Sequence, residues 1–576
     1  LYANQIYLGS GVYGFEAGSE YYFGKPAKQL TLEEAAMLAS LPKSPTLYSP
    51  ILNPHNALRR RNMVIDSMLE DGKITAQQAA EAREKPIALN LQPATNSIAP
   101  YFAEEVRKYL EKKYGSEEVH EDGLKVYTTL NLELQQAATK AALDGLAAYE
   151  RRHGWKGKLR NVADLGQTLA SYQDPDWAEP LNVGGYVHAL VTEVDSTQAM
   201  LKIGRTQAVL PASEIKWTHH KSPLELLHTG DIAYVRLTAL PQMGDARVAL
   251  EQDSGTQVAL LAIDNASGDI KAMVGGRDFD YSKFNRVTQA ERQVGSSFKP
   301  YVYTAAIDTG AYTAEDTILD SPTTFMTASG PYTPSNYDGR FWGVIPLRKA
   351  IADSRNIPAL KIAEKVGIST VIDYAHRFGV TENIPPYLPI ALGASEITLF
   401  EQTASYAVFP NDGVRVAPRM IKSVTDYDGH LLEEDYPEVK DVISARTART
   451  MVSLLQEPIK QGTAVAALKL KHPLGGKTGT TNDFTDAWFI GFSPSITCGV
   501  WVGFDEKKSL GPKETGSEAA LPIWMDFMKV ALVGRDSEHF ETVDTLPPAT
   551  APLPALPPRP QPVLKAELPL PAAKAQ

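Results

Sequence analysis

The sequence predicts a multidomain protein: a helical stretch, then a small all-β unit, then a larger α+β unit. Three observations predict it. A chain of 576 residues is longer than one hydrophobic core can serve, so it divides. Its texture changes near residue 155, from helix-period patterns with capping signals to short alternating runs. It changes again near residue 256, where apolar strand-length runs mix with long helical patterns.

The elements follow in order. Residues 1 to about 90 read as helical, starting inside a helix at Leu1–Tyr7. Thr31-Leu32-Glu33-Glu34 is a capping box ahead of Ala35–Leu41, and Thr75-Ala76-Gln77-Gln78 is a second, with Gly72 stopping the helix before it. Gly9-Ser10-Gly11-Val12-Tyr13-Gly14 fits a dinucleotide pattern, but no strand precedes it. Arg59-Arg60-Arg61 reads as a solvated helix face. Residues 91–154 read as a linker region with helices at Tyr101–Tyr114 and from Leu132, and a strand at Leu124–Thr129. Residues 155–252 carry alternating runs at Tyr186–Val194, Ala199–Ile203, Ile232–Leu237 and Arg247–Leu250, the pattern of a small barrel. His219-His220 there lacks an acidic partner at ligand spacing and reads as surface. Residues 253–540 form the α+β unit. It opens with the hairpin Val258–Ile263 and Ile270–Val274. It closes with strands at Gly476–Thr481, Ala487–Phe492 and Thr497–Phe504 and a helix at Ala520–Val533. Residues 541–576 are rich in Pro, Ala and Leu and read as an extended tail.

Composition narrows the function classes. Hydrophobic content of 43% and charged content of 22% are those of globular protein. A net charge of −11 argues against nucleic acid as a partner. One cysteine, Cys498, excludes an internal disulfide framework and a cysteine-rich metal site. No cofactor or metal is expected. No apolar run reaches membrane-span length. The chain begins at Leu1, within a helix and without a signal peptide, and reads as part of a longer polypeptide.

The chemistry lies in three short motifs in order: Ser296-Ser297-Phe298-Lys299, Ser354-Arg355-Asn356 and Lys477-Thr478-Gly479. Ser-x-x-Lys alone is weak, since a chain of this length holds about two by chance. Ser40-Leu41-Pro42-Lys43 is another match, but its prolines end a helix instead of starting one. The other two motifs each occur once. Ser296 stands at a helix start with Lys299 one turn on, so both side chains share a face. Pro300 is tolerated in that first turn. The positive helix N-terminus, and a second cation such as Lys477, disfavour ammonium on Lys299, so it can take the serine proton. Lys477–Thr480 reads as an edge strand on which an extended peptide adds as another strand, with Gly479 leaving room for it. Thr478 and Thr480 offer hydroxyls to a substrate carboxylate. Ser354 and Asn356 are expected in a turn before a helix at Pro358–Val366, to shuttle a proton and hold the substrate amide.

This motif set resembles that of serine β-lactamases and penicillin-binding proteins. Over nearly the whole chain the sequence resembles the bifunctional class A penicillin-binding proteins. Asn4–Gly9, Gly11, Gly14, Tyr22-Phe23-Gly24-Lys25 and Arg59–Val64 look like the later half of the family's lysozyme-like glycosyltransferase domain, residues 1–90 here. The β unit looks like an OB-type insert. Arg292–Ser296 and Thr480–Phe489 look like the transpeptidase domain.

The resemblance implies a D-alanyl-D-alanine transpeptidase that cross-links peptidoglycan. Ser296 would be acylated and Lys299 its base. Ser354, Asn356 and Lys477 would complete the catalytic set, and Thr478, Gly479 and Thr480 would bind substrate. Backbone N–H groups of Ser296 and Thr480 would form the oxyanion hole. Implied partners are peptidoglycan stem peptides and β-lactam antibiotics, with lipid II and glycan for the whole protein and periplasmic or outer-membrane protein activators. The implied location is the bacterial inner membrane, facing the periplasm. The family's glycosyltransferase glutamates and anchor precede Leu1, so this chain is not expected to polymerise glycan. Two alternatives share the motifs. A serine β-lactamase needs a carboxylate-activated water and none of the flanking domains. A non-catalytic penicillin-binding sensor would not need intact Lys299 and Lys477.

Overall fold

The computed structural model describes Ala3, Ile6–Gly9 and residues 12–546, apart from short stretches at 52, 92–97, 117–118, 120–122, 158, 179–180, 242–243 and 328–329. The expected helix at Leu1–Tyr7 falls mostly outside these residues, as does the tail beyond residue 546.

The first unit is helical: α1 (Phe15–Phe23), α2 (Leu32–Ser40), α3 (Pro54–Glu70) and α4 (Ala76–Glu84). Both capping boxes form, at Thr31 and Thr75. Gly72, at φ 64°, follows the end of α3. Leu8, Tyr22, Met37, Leu38, Leu41 and Ala57 make a core of their own. The solvated face expected of Arg59–Arg61 holds at Arg59, which is exposed, and is corrected at Arg61. Arg61 is 1% exposed and donates to the carbonyls of Arg83 (3.2 Å) and Lys85 (2.8 Å). Those are orphan acceptors at the end of α4, so the guanidinium is a helix cap in trans.

Residues 91–154 are not a linker. The helix α5 (Pro100–Tyr114) contributes Phe102, Val106 and Leu110 to the core of the α+β unit. The helix α6 (Leu132–His153), capped by the Asn131 side chain, contributes Ala138, Ala142 and Leu146 to its opposite core. The strand Lys125–Thr128 between them pairs with Ile421–Thr425.

The β unit is a closed ring. Strands β1 (Tyr186–Val194), β2 (Gln198–Ile203), β3 (Thr206–Pro211), β4 (Asp231–Ala239) and β5 (Ala246–Leu250) pair in the order β4-β1-β2-β3-β5, and β5 returns to β4. Closure removes free edges. Alternate residues fill the interior, among them Val187, Ala189, Val191, Leu201, Val235 and Val248.

The α+β unit is built on a five-stranded antiparallel sheet of β6 (Gln257–Asp264), β7 (Ile270–Val274), β8 (Gly475–Thr480), β9 (Asp486–Phe492) and β10 (Ile496–Gly503). Its order is β8-β9-β10-β6-β7. Along β6, Ala259, Leu261 and Ile263 face one core. That core is shared with α7 (Lys299–Asp308), α8 (Asn356–Val366) and α9 (Leu399–Tyr406). Val258, Leu260 and Ala262 face the other, shared with α6 and α10 (Leu521–Ala531). Both faces are covered, which is why these strands are continuous apolar runs. Trp488, Trp501 and Trp524 are buried between them. Fully burying a large apolar side chain contributes about 1.5–3 kcal/mol. The strand β8 is left as an edge, beside the turn that leads into α7. The start of the expected tail is anchored: Arg449 donates to the Thr542 carbonyl at 3.0 Å and to Thr545 Oγ1 at 2.6 Å.

Candidate active site

Ser296 lies half-buried in the helical turn Gly295–Phe298 that runs into α7. That turn is held from α9. Gln402 Nε2 and Tyr406 OH donate to the Ser297 carbonyl at 2.9 and 2.6 Å. Gly295 is required where it stands. It has φ 52°, and a Cβ there would lie 2.5 Å from the Thr480 carbonyl oxygen. The nucleophile turn and β8 therefore touch through backbone.

Lys299 opens α7 and is fully buried. Its Nζ lies 2.5 Å from the Ser354 carbonyl oxygen, 2.8 Å from Asn356 Oδ1 and 3.2 Å from Ser354 Oγ. Lys477 Nζ reaches the same hydroxyl at 2.8 Å and the Thr478 carbonyl at 3.1 Å. Ser354 Oγ thus bridges two buried lysines. Burial, then the charges of Lys477 and Arg355, holds Lys299 well below the ordinary lysine range. Burial lowers Lys477 to about 7, against the opposing charge of Asp353. Below that pH Lys477 is the cation of the pair. A neutral Lys299 donates twice, to the Ser354 carbonyl and Asn356 Oδ1, and its lone pair is left for a proton arriving from a hydroxyl.

Hydrogen bonds join Lys299, Ser354, Asn356 and Lys477, and the turn that carries Ser296 lies against β8, with two expectations corrected. The helix α8 begins at Asn356, not Pro358, so Asn356 is its first residue and only Ser354 belongs to the turn, at φ 55°. Room at Gly479 is not open to a substrate. A Cβ there would lie 2.4 Å from the Val294 carbonyl and 2.9 Å from Trp488 Cβ, so the glycine admits the nucleophile turn and the neighbouring strand. Thr478 Oγ1 meets Thr463 Oγ1 at 3.0 Å, and Thr480 Oγ1 accepts the Gly516 N–H at 3.0 Å. Ser40 is buried at the end of α2, with its hydroxyl donated to Met37. A further Ser-x-x-Lys, Ser213-Glu214-Ile215-Lys216, falls in the short turn Ala212–Thr218 of the barrel unit.

Sequence reasoning missed the residues behind Ser354 and Asn356. Arg355 is 4% exposed, paired with Asp320 and Asp338 and laid over the Trp342 ring. Thr463 and Gly516 were missed as well. The middle position of Ser-x-Asn was the one available signal. Among the described residues, one group has metal-ligand spacing: Asp174, Asp176 and His188. They are already hydrogen-bonded, His188 to Asp176 and Asp174 to Tyr172.

Known proteins are similar to this chain in sequence and fold. Residues 258–529 match the family model of the penicillin binding protein transpeptidase domain, and residues 1–69 match that of the transglycosylase. Penicillin-binding protein 1A of Aquifex aeolicus is 38% identical over 549 residues, covering 95% of this chain and 72% of that protein. The crystal structure of penicillin-binding protein 1A from Haemophilus influenzae matches with a TM-score of 0.70 at 28% identity, over 94% of this chain and 86% of the other. The PonA1 protein of Mycobacterium tuberculosis, solved in complex with penicillin V, matches at 0.52 and 20% identity over 77% of this chain and 95% of the other, a likeness of fold.

Proposed function

The chain belongs to the penicillin-binding protein 1A family, and from that premise we propose that Ser296 is the nucleophile of its transpeptidase reaction. The family carries two activities of cell-wall synthesis. The penicillin-sensitive transpeptidase domain cross-links peptidoglycan, and the transglycosylase segment belongs to the glycosyltransferase of the whole protein. The observation that carries the residue assignment is the bridge of Lys299 and Lys477 through Ser354 Oγ, with Ser296 one helical turn before Lys299.

Ser296 Oγ attacks the carbonyl carbon of the D-alanyl-D-alanine bond, and its proton passes to neutral Lys299 Nζ. Backbone N–H groups of Ser296 and Thr480 hold the oxyanion. The C–N bond breaks, and the leaving amine takes a proton through Ser354, fed by Lys477. The acceptor amine then attacks the ester and passes its proton through Ser354 to Lys477, while the C–O bond to Ser296 breaks and Ser296 regains its own proton from Lys299. Thr478 and Thr480 hold the terminal carboxylate, and the free edge of β8 aligns the donor peptide. A β-lactam acylates the same serine, but its leaving nitrogen stays tethered. The PonA1 complex with penicillin V supports extending β-lactam binding to this chain. None of the hydrogen bonds described for Lys299, Ser354, Asn356 or Lys477 runs to a carboxylate. That favours a long-lived acyl-enzyme over a β-lactamase, which activates water with one.

The closed five-stranded ring is assigned here as an OB-type barrel. The location proposed is the periplasmic side of the bacterial inner membrane; no described helix is long and apolar enough to cross a membrane. The test is cross-linking of donor and acceptor stem peptides, with mass mapping of a labelled penicillin. The adduct is expected on Ser296, and Ser296→Ala should abolish both readouts. An adduct on Ser40, or labelling that survives in the variant, would sink the assignment.

A further inference from the structure

We propose that Asn336 and Arg355, tied together through Asp320, are positioning residues for acylation. They clamp the start of α8, just after the Ser354 turn, so that Ser354 Oγ and Asn356 Oδ1 meet Lys299. The proposal rests on the assignment of Ser296 as nucleophile.

The turn cannot hold itself. The helix α8 starts at Asn356 with Arg355 in the cap position, and no side chain of the cap accepts its first N–H groups. Arg carries no acceptor. The acceptor comes from twenty residues upstream. Asn336 Oδ1 takes the N–H of Asn356 at 2.8 Å and of Ile357 at 3.3 Å. Such a cap is worth about 1 kcal/mol where it stabilises a helix, but here the capped residue is also a site residue. Asn356 Nδ2 donates to the Ser335 carbonyl at 2.9 Å. That fixes the amide so that Oδ1 faces Lys299 Nζ.

Arg355 is fixed from four sides. Its Nε donates to Asp320 Oδ2 and its Nη1 to Asp338 Oδ1, both at 2.9 Å. Nη2 donates to the Arg340 carbonyl, and the Trp342 ring lies 4.1 Å from the guanidinium. Asp320 is the hub. It is fully buried. Oδ1 accepts from Asn336 Nδ2 at 2.7 Å, and Oδ2 accepts from Arg355 and from the Trp342 N–H at 3.2 Å. The clamp therefore grips the residues that directly follow Ser354, itself a non-glycine residue at φ 55°. A residue in that region persists only where its surroundings over-determine it. Misplacement of a reacting group by about 1 Å costs about a hundredfold in rate.

Arg355 has a second consequence. The charges facing Lys299 are the cations Lys477 and Arg355. Asp320 and Asp338 are paired to Arg355, and Asp353, paired to Lys349, faces Lys477. Arg355 thus helps keep Lys299 free of its proton, a role that a purely structural residue would lack.

The experiment measures the acylation rate of the full chain by a labelled penicillin from pH 5.5 to 10, beside thermal melting. Arg355→Met should lower the plateau about ten- to hundredfold and move the acid limb up by about one pH unit. Arg355→Lys should restore the limb but not the plateau, because it keeps the charge and loses the fork. Asn336→Ala should lower the plateau and leave the limb in place. If Arg355→Met does not fold, the double variant Asp320→Asn/Arg355→Met removes both buried charges and should show the same limb shift. Folded variants with wild-type plateau and limb would overturn the proposal, as would losses that follow only the folded fraction. Failure of the wild type to acylate at Ser296 would instead overturn the assignment on which the proposal rests.

Discussion

The protein crowds like charges in two places, and they differ in what surrounds them. At the active site three basic side chains, Lys299, Lys477 and Arg355, lie buried, and the charges of the last two hold Lys299 toward its neutral form. Where the barrel unit meets the α+β unit, the crowded charges are carboxylates. Burial and the charge of Asp176 raise Asp174 to about 6, and burial with Asp176 and Asp280 raises Asp278 to about 7. There the counter-charge is close at hand. His188 sits 2.8 Å from Asp176, between the rings of Tyr234 and Tyr281. A cavity of about 560 Å³ opens beside it, lined by Trp155, Tyr234, Arg277 and Asp278 among others. Perturbed protonation marks both regions, so it does not by itself mark a reactive one. What separates them is the nucleophile turn. Lys299 and Lys477 share a hydroxyl, and Lys299 stands one helical turn from a half-buried serine, whereas the carboxylates are hydrogen-bonded to a tyrosine and a histidine.

The largest effects should fall on the cation side. Lys299→Ala should slow penicillin acylation by about a thousandfold, the middle of the range for a lost general base. Lys477→Arg should cost about tenfold, since the charge survives and the point-donor geometry does not. Stopped-flow acylation at one pH would compare them. Equal losses would mean that the lysines do not divide base and charge between them. Next in size is Gly479→Ala. Its Cβ meets the Val294 carbonyl, so the nucleophile turn must move off β8. Acylation should fall about a hundredfold, while overpacking costs about 1–3 kcal/mol of stability. A full rate with lowered stability would show that turn and strand need not touch for catalysis.

How much of this was legible in the sequence depends on distance along the chain. Ser296 and Lys299 are three residues apart, and helical spacing alone puts them on one face. Lys477–Thr480 showed as a strand because its neighbours Ala487–Phe492 and Thr497–Phe504 are apolar runs. The clamp was invisible. Asp320, Asn336 and Arg355 meet only after the chain between them folds over Trp342, and no period relates their positions. Arg61 misled because three arginines in a row look solvated, while a helix end twenty-odd residues later supplies carbonyls for one of them. The strand Thr206–Pro211 was missed because it ends in proline, yet it is the strand that lets the barrel close. Residues 91–154 looked like a linker because no long apolar run marks a core there. In α6 most of the buried apolar positions are alanines, small enough to lie directly on the sheet.

The smallest effect tests the carboxylate side. Burial alone would lower His188, but the hydrogen bond to Asp176 and the charges of Asp174, Asp176 and Asp278 outweigh it and push His188 up to about 9. A histidine raised above its unfolded value, about 6.5, gives stability that is fully present below pH 6.5 and is lost as pH rises through about 9. The gap corresponds to at most about 3 kcal/mol. The raised carboxylates act in the same sense, since their ionisation between their unfolded values and pH 6–7 costs the folded state. The junction should therefore loosen with alkali while acylation quickens as Lys299 sheds its proton. Amide exchange in Tyr186–Val194 and Asp231–Ala239 between pH 6 and 10 would show it. In His188→Gln the loss of protection between pH 6.5 and 9.5 should flatten, with the acylation profile unchanged. A shift of the acylation limb in that variant would mean that the two clusters are coupled, and the separation drawn between them would fail.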